Sequence, residues 1–137
     1  RDWGIQWGRR FRALKLRFVI RSYGVAGLRA RIAAHIAMAQ RLAGEIEAAE
    51  DFELMAPVPL ALLCLRYRPA GVDDPAEIDA LNETLLEQVN DSGLAYFTHT
   101  RLGGRYVIRF AIGQTATEWR HVEAAWTLLR ETARGGT

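Results

Sequence analysis

The chain has 137 residues, half of them hydrophobic and a quarter charged. This composition excludes a disordered polypeptide and fits one folded domain, which at this length buries roughly 68% of its unfolded surface. The net charge of +2 conceals a dipolar chain: residues 1–41 hold ten Lys and Arg against the single acid Asp2, whereas residues 42–137 hold eight cations against fifteen acids.

The chain begins Arg1-Asp2-Trp3, with neither a methionine nor a signal-peptide pattern, and is expected to be a piece of a longer polypeptide. A first helix is predicted over residues 8–23, where Trp7, Phe11, Leu14 and Phe18 share a face, with Gly24 as its stop. A second follows over residues 25–49, with Leu28, Ile32, Ile36, Ala39, Leu42 and Ile46 spaced by three and four. Its end turns acidic at Glu45, Glu47 and Glu50; acids there oppose the helix dipole, so that end is expected to be solvated.

Beyond Asp51 the period changes. Residues 52–56 and 60–67 read as strands, separated by Pro57-Val58-Pro59, which cannot continue a ladder. Asp74 then caps a helix with Pro75 in its first turn, Glu77 three residues on and the stripe Ile78, Leu81, Leu85, Val89; Ser92-Gly93 ends it. Residues 94–100 and 105–112 are predicted strands of a hairpin turned by Arg101-Leu102-Gly103-Gly104. A last helix is expected to be capped by Thr115 with Glu118 and to bury Trp119, Val122, Trp126 and Leu129. The order α-α-β-β-α-β-β-α defines an α+β class: a largely antiparallel sheet covered by helices, preceded by two helices.

Cys64, the one cysteine, excludes an internal disulfide and a multi-thiolate zinc site. It lies in the run Leu62-Leu63-Cys64-Leu65 and is expected to be buried and inert, which suits a reducing compartment. The longest apolar stretch, residues 55–65, is far short of the ~20 residues of a membrane helix. His35, His99 and His121 have no metal-ligand spacing and no metal is expected; His35 and His121 read as structural and His99 as an ordinary strand histidine. Arg101-Leu102-Gly103-Gly104-Arg105 lacks a phosphate-loop pattern, and both serines, Ser22 and Ser92, fall at glycine-marked helix ends, so a serine nucleophile is not expected.

The most informative stretch is residues 105–112. Alternation puts Tyr106, Ile108, Phe110 and Ile112 on the core face and leaves Arg109 projecting from the other, between Val107 and Ala111. Such an arginine is either solvated or paired with a cross-strand acid, or it is a guanidinium fork offered to a carboxylate by a rigid strand. The cluster Arg9-Arg10-Phe11-Arg12-Ala13-Leu14-Lys15 admits a phosphate or nucleic-acid patch, but its cations point around the whole helix. A nucleic-acid-binding module therefore stands as an alternative, and a non-catalytic dimerising or regulatory domain using Trp7, Phe11, Leu14 and Phe18 as a third.

Three stretches carry a resemblance. Asp2-Trp3 with Gly8-Arg9-Arg10-Phe11-Arg12-Ala13-Leu14-Lys15-Leu16, then Phe18-Val19-Ile20-Arg21-Ser22-Tyr23-Gly24, and finally Thr98-His99-Thr100-Arg101-Leu102-Gly103-Gly104-Arg105-Tyr106-Val107-Ile108-Arg109-Phe110-Ala111-Ile112-Gly113, resemble the group II pyridoxal-phosphate-dependent amino acid decarboxylases, in their aromatic-L-amino-acid branch. The chain departs from the family at Gly4-Ile5-Gln6-Trp7 and at Arg17, where tryptophan is usual. The resemblance implies the C-terminal small domain of a type I fold (residues 51–137), preceded by connecting helices (residues 1–50) that pack on an upstream cofactor domain, in a cytoplasmic homodimer. It implies a carboxy-lyase that releases CO2 and an amine from an aromatic amino acid, with pyridoxal 5'-phosphate as electron sink. The Schiff-base lysine lies upstream in that family, in a His-Lys pair; here the only lysine is Lys15, so this segment alone is expected to be inactive and to bind no cofactor. By resemblance Arg109 matches the small-domain strand arginine that reaches towards the substrate region, and its free face makes it the candidate for a substrate carboxylate contact; Arg1 matches an arginine near the active site, while Arg9, Arg10 and Arg12 are assigned to interdomain structure.

Overall fold

A computed structural model of the chain describes residues 12–135. Helix α1 (Arg12–Glu47) is followed by strands β1 (Phe52–Leu54) and β2 (Leu62–Tyr67), helix α2 (Pro75–Asp91), strands β3 (Thr98–Leu102) and β4 (Arg105–Ala111) and helix α3 (Trp119–Gly135). The α+β order read from the sequence is the order observed.

Within α1 the helical backbone breaks at Gly24, at φ 67 and ψ 167. Only a residue without Cβ adopts that conformation at no steric cost, so Gly24 divides α1 into the two helical segments expected. The start of the first segment, with Trp7 and Phe11, lies outside the described residues. The chain separates into two compact units, one through Ala33 and one from Ala34 onward. In the first, Leu16, Phe18 and Val25 are each 60% or more exposed.

In the second unit, the sheet has the order β1-β2-β4-β3, antiparallel throughout. One face is packed. Leu63, Leu65, Tyr67, Ile108 and Phe110 project from it into a core completed by Ala39, Leu42 and Ile46 of α1, Leu85, Leu86 and Val89 of α2, and Val122, Trp126 and Leu129 of α3. Phe52 meets Trp126 edge-on at 4.9 Å, and Phe97 packs on Phe110 at 4.7 Å. Of the second predicted stripe, Ile32 is 57% exposed, whereas Ala39, Leu42 and Ile46 are fully buried. The stripe enters the core only in its C-terminal half.

Helix α2 starts as the sequence requires: Asp74 accepts the Ala76 N–H at 3.1 Å, with Pro75 in the first turn, where a missing N–H costs nothing. The hairpin is tighter than expected. Arg101 and Leu102 belong to β3, and Gly103 and Gly104, at φ 56 and φ 82, form a two-residue turn whose twist matches the strands.

Three local expectations are corrected. Residues 94–97 are not strand, because the Asn90 amide accepts the Phe97 N–H at 2.8 Å and donates to its carbonyl at 3.1 Å, taking the place of a neighbouring strand. Thr115 does not cap α3; it lies in a turn, and the helix starts at Trp119, where His121 Nδ1 accepts the Glu118 N–H at 3.1 Å. Asn82, not Leu81, is the fully buried member of the α2 stripe at that turn, because its amide satisfies the N–H and carbonyl of Tyr67 at 2.7 and 2.8 Å.

Candidate functional site

The second face of the sheet carries the predicted functional arginine. Strand β4 lies between β2 and β3, and the register sets Arg109 opposite Cys64 on one side and Thr98 on the other. Opposed residues of adjacent strands share a face, so these three side chains form one row across the sheet. Along β4 the same face carries Val107, fully buried, and Ala111, exposed. Alternation therefore placed Arg109 correctly: Ile108 and Phe110 go into the core and Arg109 goes out.

Arg109 is half-buried. Its guanidinium donates to Thr98 Oγ1 at 3.4 Å. Among the described residues no carboxylate lies within 4.0 Å of it, although seven other arginine–acid pairs occur at such distances. Cys64, Thr98 and Ala111 are small, so the guanidinium is approachable from the side away from the core. An unpaired, strand-mounted arginine among short side chains can receive a carboxylate in bidentate fashion.

Three other cations are already engaged. Asp79 of α2 accepts Arg66 at 2.6 Å, Arg101 at 2.9 Å and the Tyr106 N–H at 2.9 Å, at the point where the β2–β4 ladder ends. Arg66 is 2% exposed; a guanidinium so buried requires its acid, and the cluster is structural. Arg134 donates twice to Asp51, at 2.8 and 3.0 Å, which holds the Asp51 carboxyl below the usual carboxylate range. Burial pushes the phenols of Tyr67 and Tyr106 up, and nearby acids add to this.

Cys64 is half-buried instead of buried, because Leu63 and Leu65 occupy the core-facing positions of β2 and leave the thiol on the Arg109 face. His99 is not brought to Arg109. It is exposed, opposes Ile108 in the register and stacks on Tyr106 at 4.7 Å, on the helix-covered side. His35 is buried, and His121 serves the start of α3. Arg1, Arg9 and Arg10 lie outside the described residues, as does the side chain of Arg12. Thr98 was not foreseen as a site residue, although the two-glycine turn fixes the pairing that sets it beside Arg109. Among the described residues no three His, Cys, Asp or Glu side chains converge as a metal site, and no helix is long and apolar enough to cross a membrane.

Among the described residues no lysine stands in a pocket that would serve a Schiff base. Lys15, the only lysine, is exposed on α1, whereas a lysine serving as nucleophile works desolvated or beside another cation in a pocket.

The structure is thus an antiparallel sheet with one face covered by helices and the other carrying Arg109. Comparison with known proteins gives the family. Residues 1–68 match the pyridoxal-dependent decarboxylase conserved domain. Tryptophan decarboxylase TDC1 of Camptotheca acuminata is 46% identical over 133 residues, covering 97% of this chain and 26% of that protein. Tyrosine decarboxylase 4 of Petroselinum crispum is 49% identical over 136 residues, covering 97% and 27%. Among solved structures, that of Oryza sativa TDC with PLP and tryptamine superposes with a TM-score of 0.85 at 40% identity over 96% of this chain and 28% of that one. Catharanthus roseus tryptophan decarboxylase in complex with L-tryptophan gives 0.83 at 35% identity over 97% and 27%. The chain belongs to the pyridoxal-dependent decarboxylase family and has the type I fold of its small domain. It spans about a quarter of the length of the relatives it matches.

Proposed function

We propose that this chain is the C-terminal part of a pyridoxal-phosphate-dependent carboxy-lyase that acts on an aromatic L-amino acid, releasing CO2 and the amine. The observation that carries this reading is Arg109: in a chain 46–49% identical to tryptophan and tyrosine decarboxylases, it stands on the free sheet face with no acid beside it among the described residues. Its role is to bind and orient the substrate carboxylate. When bound, the cofactor supplies the electron sink, from a site on the upstream part of the polypeptide. Arg1 lies close to that site in this reading. Residues 1–50 form the connection to the upstream domain, and residues 51–137 form the small domain of a homodimer. The exposed Leu16, Phe18 and Val25 support the connecting role, because apolar side chains in such number on one helix call for a covering surface. Alone, the segment neither binds the cofactor nor turns over substrate.

The test is steady-state decarboxylation by the full polypeptide carrying the upstream domain, with tryptophan, tyrosine and a non-aromatic amino acid compared. Arg109→Ala should lower kcat/KM about 100-fold, the value of a lost charge-assisted bidentate contact. An Arg109→Ala enzyme with unchanged kcat/KM would remove Arg109 from the site. Absence of CO2 release with every amino acid would overturn the reading as a whole.

A further inference from the structure

The second row member beside Arg109 has no part in the reading above. We propose that Thr98 is a positioning residue: its hydroxyl holds the Arg109 guanidinium in the orientation that meets a carboxylate. This inference rests on the proposed role of Arg109.

Three observations support it. First, the only side-chain hydrogen bond that Arg109 makes among the described residues is to Thr98 Oγ1, at 3.4 Å. Second, the two residues are directly opposed in the β3–β4 register, on a hairpin closed by the two-residue Gly103-Gly104 turn, so their Cα positions are fixed by backbone bonds. Third, the acceptor is neutral. An aspartate there would hold the guanidinium more firmly and cancel its charge; a hydroxyl orients it and leaves the charge for a ligand. Of the five N–H donors of arginine one is used, and the others remain for an incoming acid. The contact is long for an N–H···O bond, as such contacts often are before a ligand closes the site. The thiol of Cys64, the partner across β4, is a weak acceptor and makes no side-chain hydrogen bond to Arg109.

A long, flexible side chain held at its tip loses less freedom on binding, so the hydroxyl should matter for affinity and not for the chemical step. The experiment uses the full holoenzyme with the Thr98→Val, Thr98→Ser and Arg109→Ala variants. Valine keeps the β-branched shape that a strand favours and removes only the acceptor. Thr98→Val should raise KM about threefold to tenfold with kcat within about twofold, the range of one net hydrogen bond, and Thr98→Ser should restore it. An independent readout is the dissociation constant, by titration calorimetry, of 3-phenylpropionate, which has the carboxylate and the ring but no amino group. It should weaken by the same factor in Thr98→Val, whereas inhibition by phenethylamine, which has no carboxylate, should not change.

If Arg109→Ala weakens 3-phenylpropionate and Thr98→Val does not, the positioning role is overturned and the role of Arg109 stands. If neither variant weakens it, the role of Arg109 itself falls. Equal weakening of acid and amine in Thr98→Val would mean a general structural defect and would also overturn the proposal. Thr98 is exposed, and Thr98→Ala gives the same reading if the valine variant does not fold.

Discussion

The two faces of the four-stranded sheet differ in what they leave unfinished. The helix-covered face is closed: Leu63, Leu65 and Ile108 are fully buried, and Trp126 of α3 is 1% exposed. Two polar side chains on that side are fully engaged, Asn82 by the Tyr67 backbone and Asp79 by two arginines and an amide. On the other face, a cation stands beside a hydroxyl and a thiol, with no acid near it among the described residues. The first face spends its side chains on stability. The second leaves the Arg109 charge without an acid, which a domain can do when a separate core holds it folded.

The largest test of this contrast is Trp126→Ala. Removing the indole from the covered face should cost about 3–5 kcal/mol, measured by denaturant unfolding, because the surrounding core cannot close over so large a void. A loss under about 1 kcal/mol would mean that this face is not the closed core described. Next comes Asn82→Ala, which leaves the N–H and carbonyl of Tyr67 without their partner. A loss of about 2–3 kcal/mol is expected, and Asn82→Asp should not restore stability, because a carboxylate cannot donate to the Tyr67 carbonyl.

The Asp51–Arg134 pair gives a smaller effect with a defined pH dependence. The folded carboxyl titrates below its unfolded value of about 3.9, so its contribution is complete above that pH and is lost as pH falls through the lower folded value. Thermal unfolding followed from pH 5 downward should show this loss in the parent chain, and Asp51→Asn should flatten that part of the profile. At the bottom of the scale is Arg109→Ala, which should change unfolding free energy by no more than about 0.5 kcal/mol while it depresses kcat/KM. A large stability loss there would make Arg109 part of the scaffold and erase the distinction between the faces.

The sites where sequence reading held and failed follow the range of the interactions involved. The cap at Asp74, the break at Gly24 and the glycine turn depend on a few adjacent residues, and each was legible. The extent of β3 was not: residues 94–97 have strand-like character, but Asn90 takes the Phe97 backbone, a side-chain substitution for a strand that no periodicity announces. The start of α3 failed for a similar reason. Thr115 and Glu118 have capping-box spacing, yet the His121 ring satisfies the Glu118 N–H and the helix begins later. Cys64 was misjudged because an unbroken apolar run conceals which of its members face the core.

Sequence by itself determined the element order, the α+β class, the family and the face on which Arg109 stands, because each rests on local chemistry, on a period of two or on residue motifs. Tertiary structure alone decided which residues share that face across strands: Cys64 from a strand 45 positions earlier, set opposite Arg109 by the β2–β4 register. It also decided that Asp79 and Asn82 complete the ladder where β2 and β4 separate. Such contacts join residues 15 and 27 positions apart, and they exist only once the helix has packed on the sheet, so no local pattern encodes them.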